Sequence, residues 1–183
     1  MNACLGTLFR GCCLALVLCS FPAVAHDCTL SLSQPQVDLG MLRLGRFSLL
    51  PGQSEISLGP RRLTLTIVCP RPTAMVLRFE GDAAGPQAYR LARQGYFTVG
   101  LSNARLDGEP VTLALAGRPT ERQDAWLMVP GRSLRALVHG MPAKGRFFSA
   151  QVEIDPRLST AMTQLRDETA VEGRGRFELV PSE

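Results

Sequence analysis

The chain has 183 residues, of which 45% are apolar and 20% are charged, and its formal net charge is +4. This composition excludes a disordered or a collagen-like chain. The basic residues are scattered along the sequence rather than gathered into a stripe, so nothing indicates a nucleic-acid-binding surface.

The first 25 residues have the pattern of a secretory signal peptide. An apolar run at 12–21 follows Arg10, and Pro22-Ala23-Val24-Ala25 ends in a small-residue cleavage signature. The run of about ten residues is too short to span a bilayer. A lipoprotein signal at Cys19 is disfavoured because the preceding Leu18 is not small. We therefore predict a signal peptide at 1–25, export through the inner membrane, and one domain at 26–183.

Two cysteines, Cys28 and Cys69, remain after this cleavage. A pair of cysteines in an exported chain predicts a disulfide. The closed loop of 42 residues would contribute about 4 kcal/mol in the chain-entropy model. No C-x-x-C motif or nearby histidine completes a metal-ligand set with these two residues.

Alternating apolar and polar residues predict short strands along the rest of the chain. In 61–69, for example, Leu63, Leu65 and Ile67 share a face with Cys69, which should point into the core. Further strands are predicted at 29–33, 37–40, 75–80, 96–102, 111–115, 148–154 and 174–180. Asp155-Pro156 is expected to end one of them, and 158–167 is predicted as a short helix or a turn. The sequence thus predicts an all-β sandwich of about seven or eight strands.

The run CTLSLSQPQVDLGML at 28–42, the cysteine spacing and the C-terminal pair of strands resemble the chaperone–usher fimbrial subunits of Gram-negative bacteria. The resemblance implies an immunoglobulin-like sandwich that lacks its final strand. A periplasmic pilus chaperone would supply that strand first, and another pilus subunit would replace it after passage through the usher. It further implies a place at the cell surface in a fimbrium, a role in adhesion or biofilm formation, and a possible carbohydrate or protein receptor.

A sandwich without one strand leaves an apolar groove that another chain can fill. We expect the first and last strands to line it, with Leu30, Leu32, Phe177 and Leu179 as the strand-acceptor residues. Because the chain ends three residues after Val180, no sequence remains for a further strand. His26 and Asp27, before Cys28, span at most about 7 Å, so the chain would accept a strand but not donate one. The alternative is that all four residues are core of a self-complete secreted binding domain.

Other chemistries have weaker support, and we expect a protein that is not an enzyme and has no cofactor or metal. The strongest alternative is a copper site formed by an N-terminal His26 and by His139, as in a copper oxygenase or a copper-binding protein. A second is a ligand platform of Trp126 and Tyr96, although Trp126 is expected to be core.

Overall fold

The computed structural model describes residues 28–37, 39, 54–123, 125–160 and 171–181. In these ranges the protein is an all-β sandwich of two antiparallel sheets, as predicted. The predicted signal peptide lies outside the described residues.

The described ranges contain fourteen strands, and several of these strands are only two to four residues long. In chain order they are β1 (Thr29–Leu32), β2 (Glu55–Ser57), β3 (Arg61–Ala74), β4 (Val76–Gly81), β5 (Tyr89–Leu91), β6 (Gly95–Leu106), β7 (Glu109–Pro110), β8 (Thr112–Leu115), β9 (Arg118–Gln123), β10 (Ala125–Met128), β11 (Ser133–Val138), β12 (Met141–Pro142), β13 (Lys144–Ser159) and β14 (Gly175–Leu179).

The first sheet has the order β1-β3-β13-β6-β10, and the short strands β2, β5 and β7 pair with β13 or β6. The second sheet has the order β14-β4-β11-β8-β9, with β12 paired to β11. Seven of the predicted strands correspond to β1, β3, β4, β6, β8, β13 and β14. The predicted strand at 37–40 was wrong where it can be checked, because Val37 and Leu39 lie outside any strand.

The prediction that Asp155-Pro156 ends a strand was also wrong. Strand β13 continues to Ser159, and Leu158, predicted to begin a helix, is a fully buried strand residue. Pro156 is tolerated because it lies between the part of β13 that pairs with β3, up to Ile154, and the part that pairs with β2, from Arg157. The N–H of Leu58 donates to the Pro156 carbonyl oxygen at 2.9 Å, so the missing N–H removes only the reciprocal bond to Leu58, just beyond the end of β2. The rest of the predicted helix, 161–167, is outside the described residues.

The core lies between the sheets and contains a cluster of four aromatic rings. The ring of Phe79 on β4 packs edge-on against Tyr89, Phe97 and Phe177, at centroid distances of 4.7, 6.1 and 5.0 Å. Such edge-to-face pairs are favourable beyond the area that they bury. The buried Tyr89 hydroxyl donates to the Phe79 carbonyl oxygen at 3.2 Å, which links the two sheets with a hydrogen bond.

The predicted disulfide between Cys28 and Cys69 is present, with an S–S distance of 2.10 Å. Cys69 is 3% exposed on the inward face of β3, whereas Cys28 is half-buried immediately before β1. The bond thus fixes the start of a four-residue strand to the middle of a long one.

Candidate strand-acceptor edge

The four residues predicted to accept a strand lie on two edge strands. Leu30 and Leu32 are on β1, at the edge of the first sheet, and Phe177 and Leu179 are on β14, at the edge of the second. Within the described ranges, β1 pairs only with β3, and β14 pairs only with β4. Each strand therefore has one edge to which no described strand is bonded, and we call these the β1 edge and the β14 edge.

The contacts between the sheets place each edge separately. At one side of the sandwich, the indole N–H of Trp126 on β10 donates to the Leu113 carbonyl oxygen on β8 at 2.8 Å, so β10 and β8 face each other. The start of β14 lies beside the turn between β5 and β6, because the N–H of Ala92 donates to the Glu172 carbonyl oxygen at 2.8 Å. The β1 edge belongs to the first sheet, in which β3 and β13 separate β1 from β6.

The inward-facing leucines at these edges are incompletely covered. Leu30 and Leu32 pair with Ile67 and Leu65, whose side chains are fully buried, yet both leucines are only half-buried. Leu179 is likewise half-buried. All three pack against the core on one side, so each leaves apolar surface exposed at its own strand edge, where a further strand would fit.

Phe177 differs from the other three predicted residues. Its side chain is only 7% exposed, and its ring packs against Phe79 within the aromatic cluster. Its side chain is therefore part of the core, and a substitution there would test the stability of the domain rather than the binding of a strand.

The backbone of β14 directs unpaired groups towards the β14 edge. The N–H of Val180 donates to the Val76 carbonyl oxygen at 2.8 Å, which continues the register between β14 and β4. In an antiparallel ladder, residues bonded to the partner alternate with residues whose N–H and C=O point away from it. Arg176 and Glu178 therefore bond to β4, whereas Phe177 and Leu179 present their backbone groups to the β14 edge.

The same alternation applies to β1. The N–H of Ser33 donates to the Thr64 carbonyl oxygen at 2.9 Å, in register with the β1–β3 pairing. Ser31 is then bonded to β3, and Leu30 and Leu32 direct their backbone groups away from it. All four predicted residues thus combine an inward side chain with backbone groups at an edge.

Four charged side chains form an alternating square on the outer face of β4 and β14. Arg78 lies 2.7 Å from Glu80 and 3.0 Å from Glu178, and Arg176 lies 2.9 Å from Glu80 and 2.7 Å from Glu178. We call this square the charge checkerboard. The hydrogen bond from Arg78 lowers the pKa of Glu178, and the hydrogen bond to Glu80 raises the pKa of Arg176.

The sequence contained a signal for this checkerboard that the strand predictions did not use. The tripeptide Arg-Phe-Glu occurs at 78–80 and again at 176–178. When two such tripeptides pair antiparallel, each arginine is opposite a glutamate and the two phenylalanines are opposite each other, as the register shows.

A cleft of about 670 Å³ opens beside the checkerboard. It lies between the ends of β4 and β14 and the loop at Pro130 and Gly131. Its lining includes Arg174 and Asp82 as well as three members of the checkerboard, so its charges are of both signs. This mixture does not favour a ligand of one charge.

The alternative sites of the sequence analysis are not assembled in the described residues. Trp126 packs against the core, as expected, and its N–H is bonded within the sandwich. Tyr96 lies on the outer face of the first sheet, where its hydroxyl bonds to Glu55 at 2.6 Å, so these aromatics do not form one platform. His139 is exposed at the turn between β11 and β12, and His26 lies outside the described residues.

The described part of the chain holds neither a metal-binding cluster nor a membrane-spanning helix. It contains no group of three or more metal-ligating histidine, cysteine or acidic side chains. It also contains no helix that is long and apolar enough to cross a membrane. A scan of the chain against protein-family models finds no match, and a search of curated proteins likewise finds none.

Proposed function

We propose that the protein is an exported fimbrial-type subunit, an immunoglobulin-like sandwich without its final strand, that accepts a β-strand from another chain. A periplasmic pilus chaperone supplies this strand first and another pilus subunit supplies it later, so that the protein enters a surface fibre with a role in adhesion or biofilm formation.

The observation that carries the proposal is the arrangement of the β1 and β14 edges. Each is the free edge of the first strand in the order of its sheet, each directs backbone N–H and C=O groups outwards, and each carries at least one inward leucine that is half-buried. Unpaired edges beside an uncovered apolar surface are what a strand added from another chain would satisfy. The disulfide that holds β1 in place supports the same proposal, because it fixes one wall of the groove.

The expected energy is large enough to control folding. A strand that buries on the order of 300–400 Å² of apolar surface contributes roughly 8–10 kcal/mol before ordering costs. Small domains have a total stability of about 5–15 kcal/mol. We therefore expect the protein to aggregate or to be degraded when no strand is supplied.

The experiment compares the soluble periplasmic yield of three forms of the chain. The first is the chain alone, the second carries a C-terminal strand of alternating valine and threonine, and the third carries a Gly/Ser segment of the same length. Only the alternating strand should restore a soluble, cooperatively folded monomer. A chain that is equally soluble and stable in all three forms would contradict the proposal and would indicate a self-complete binding domain.

A matched pair of variants on β1 tests whether the rescue by the alternating strand depends on the inward face of β1. Leu32→Asp places a carboxylate at the inward apolar surface, where it cannot be buried cheaply, and should abolish rescue by the alternating strand. Ser31→Asp places the same group on the exposed outer face one residue away and should leave the rescue intact.

A further inference from the structure

The outer face of β14 carries two charged side chains, and a strand added at the β14 edge would lie beside them. The inference drawn from them rests on the proposed function. Arg176 has 73% of its side chain exposed, whereas Glu178 has 26% exposed. Both belong to the strand whose other edge is unpaired within the described residues. A strand added there would place its outward side chains beside these two.

Strand β4 shows what β14 accepts on its paired side. The order basic, apolar, acidic in Arg78-Phe79-Glu80 places Arg78 opposite Glu178 and Glu80 opposite Arg176. Opposite charges directly across an antiparallel pair are stabilising, and like charges are destabilising. An added strand with the same order, basic then apolar then acidic, would continue the alternation of positive and negative charges on the other side of β14.

Backbone geometry should strengthen the charge–charge interactions between β14 and a strand added at the β14 edge. Because Phe177 and Leu179 present their hydrogen-bonding groups to that edge, Arg176 and Glu178 would form the non-hydrogen-bonded pairs with an added strand. Such pairs bring the two Cα atoms to about 4.5 Å, against about 5.5 Å for the hydrogen-bonded pairs, so the side chains lie closer together.

We infer that the β14 edge selects an antiparallel strand whose outward residues are basic opposite Glu178 and acidic opposite Arg176, with an apolar residue between them. The partner is thus a segment with the order basic, apolar, acidic. The reversed order places like charges together at both positions and is disfavoured.

The test appends one of two strands directly after Glu183, so that residues 180–183 form the connecting loop. The strands are Val-Lys-Ile-Glu-Val and Val-Glu-Ile-Lys-Val, which have the same composition. A four-residue loop permits only antiparallel pairing, since a parallel strand needs a crossover of about a dozen residues or more. The unfolding equilibrium of each full-length protein is measured in urea at low and high salt.

The Lys-first strand should give the larger stabilisation, by about fivefold in the unfolding equilibrium constant at low salt. High salt should reduce the difference, because exposed charges are screened. In the variant that combines Arg176→Gln with Glu178→Gln, both strands should stabilise equally. In the variant that inverts all four charges of the checkerboard, the preference should reverse.

Equal stabilisation by the two strands in the natural chain, or a preference that survives the two glutamine substitutions, would overturn the inference and leave the proposed function standing. Failure of both strands to stabilise the chain would instead count against the proposed function itself.

Discussion

At position 175, the absence of a side chain allows β14 to pack against the aromatic cluster. A Cβ atom built on Gly175 would overlap the ring of Phe79 and would lie 2.8 Å from the Glu80 carbonyl oxygen. Since both of these groups are fixed within the sheet, the added atom has no free space. Glycine is therefore required here by close packing rather than by an unusual backbone angle.

We predict that Gly175→Ala lowers the free energy of unfolding by about 1–3 kcal/mol, as other overpacked cores do. Gly100→Ala is the matched control, because a Cβ atom there would meet its nearest neighbour at 3.7 Å. Urea denaturation of both variants, each carrying the C-terminal strand of alternating valine and threonine, measures the effect. Equal stability of the two variants would contradict this account of position 175.

Tyr89 gives a second prediction for a single residue. Burial raises its pKa from 10.0 to about 12. A group whose folded pKa is raised contributes stability that is present below its unfolded pKa and is lost as the pH rises through its folded pKa. Tyr89→Phe, which removes the hydrogen bond to Phe79, should cost about 1 kcal/mol at neutral pH.

In the chain that carries the alternating strand, the stability advantage of Tyr89 over Tyr89→Phe should shrink and then change sign as the pH rises from about 10 to about 12, since two pKa units exceed about 1 kcal/mol. Chemical denaturation across that range is the measurement. A difference that does not change with pH would show that Tyr89 ionises as an unburied tyrosine does.

Among the elements, β1 is the shortest strand on which the proposed function depends. Its four residues bond to β3 along one edge only within the described ranges, so the disulfide supplies much of what holds it. Strand β14 is also short, but the charge checkerboard and Phe177 secure it to β4.

We therefore predict that Cys28→Ala combined with Cys69→Ala lowers the unfolding free energy by up to about 4 kcal/mol. The same variant should lose rescue by the added strand, because one wall of the groove is no longer fixed. Urea denaturation and soluble yield are the measurements. Unchanged values for both would show that the hydrogen bonds to β3 suffice to hold β1.

Over the described part of the molecule, the sequence predicted the longer strands whose two faces differ, and it missed the three-residue strands β2 and β5 although their burial alternates, because so short a pattern is not distinctive. Alternation between buried and exposed residues identified β3 and most of β13, since a period of two is the signature of a half-buried strand. Strand β11 was missed because the adjacent residues Ala136 and Leu137 are both buried, which breaks the alternation that Leu134 and Arg135 begin.

The strand-acceptor role of the four residues stays a prediction, and the sequence alone did not indicate their backbone geometry or packing. The resemblance and the alternation indicated Leu30, Leu32, Phe177 and Leu179, yet only the three-dimensional register shows which backbone groups point outwards. That Phe177 lies in the core follows from the packing of Phe79, a contact between residues 98 positions apart. Sequence periodicity carries no information about such a contact.

The central claim is that the β14 edge is unpaired until another chain supplies a strand, and amide hydrogen exchange tests it most directly. In the chain without an added strand, refolded in dilute solution, the amides of Phe177 and Leu179 should exchange rapidly. Those of Arg176 and Glu178, bonded to β4 in the same strand, should be protected. Adding the alternating strand should protect all four amides. If Phe177 and Leu179 are already as protected as their neighbours in the chain alone, the edge is closed and the claim is contradicted.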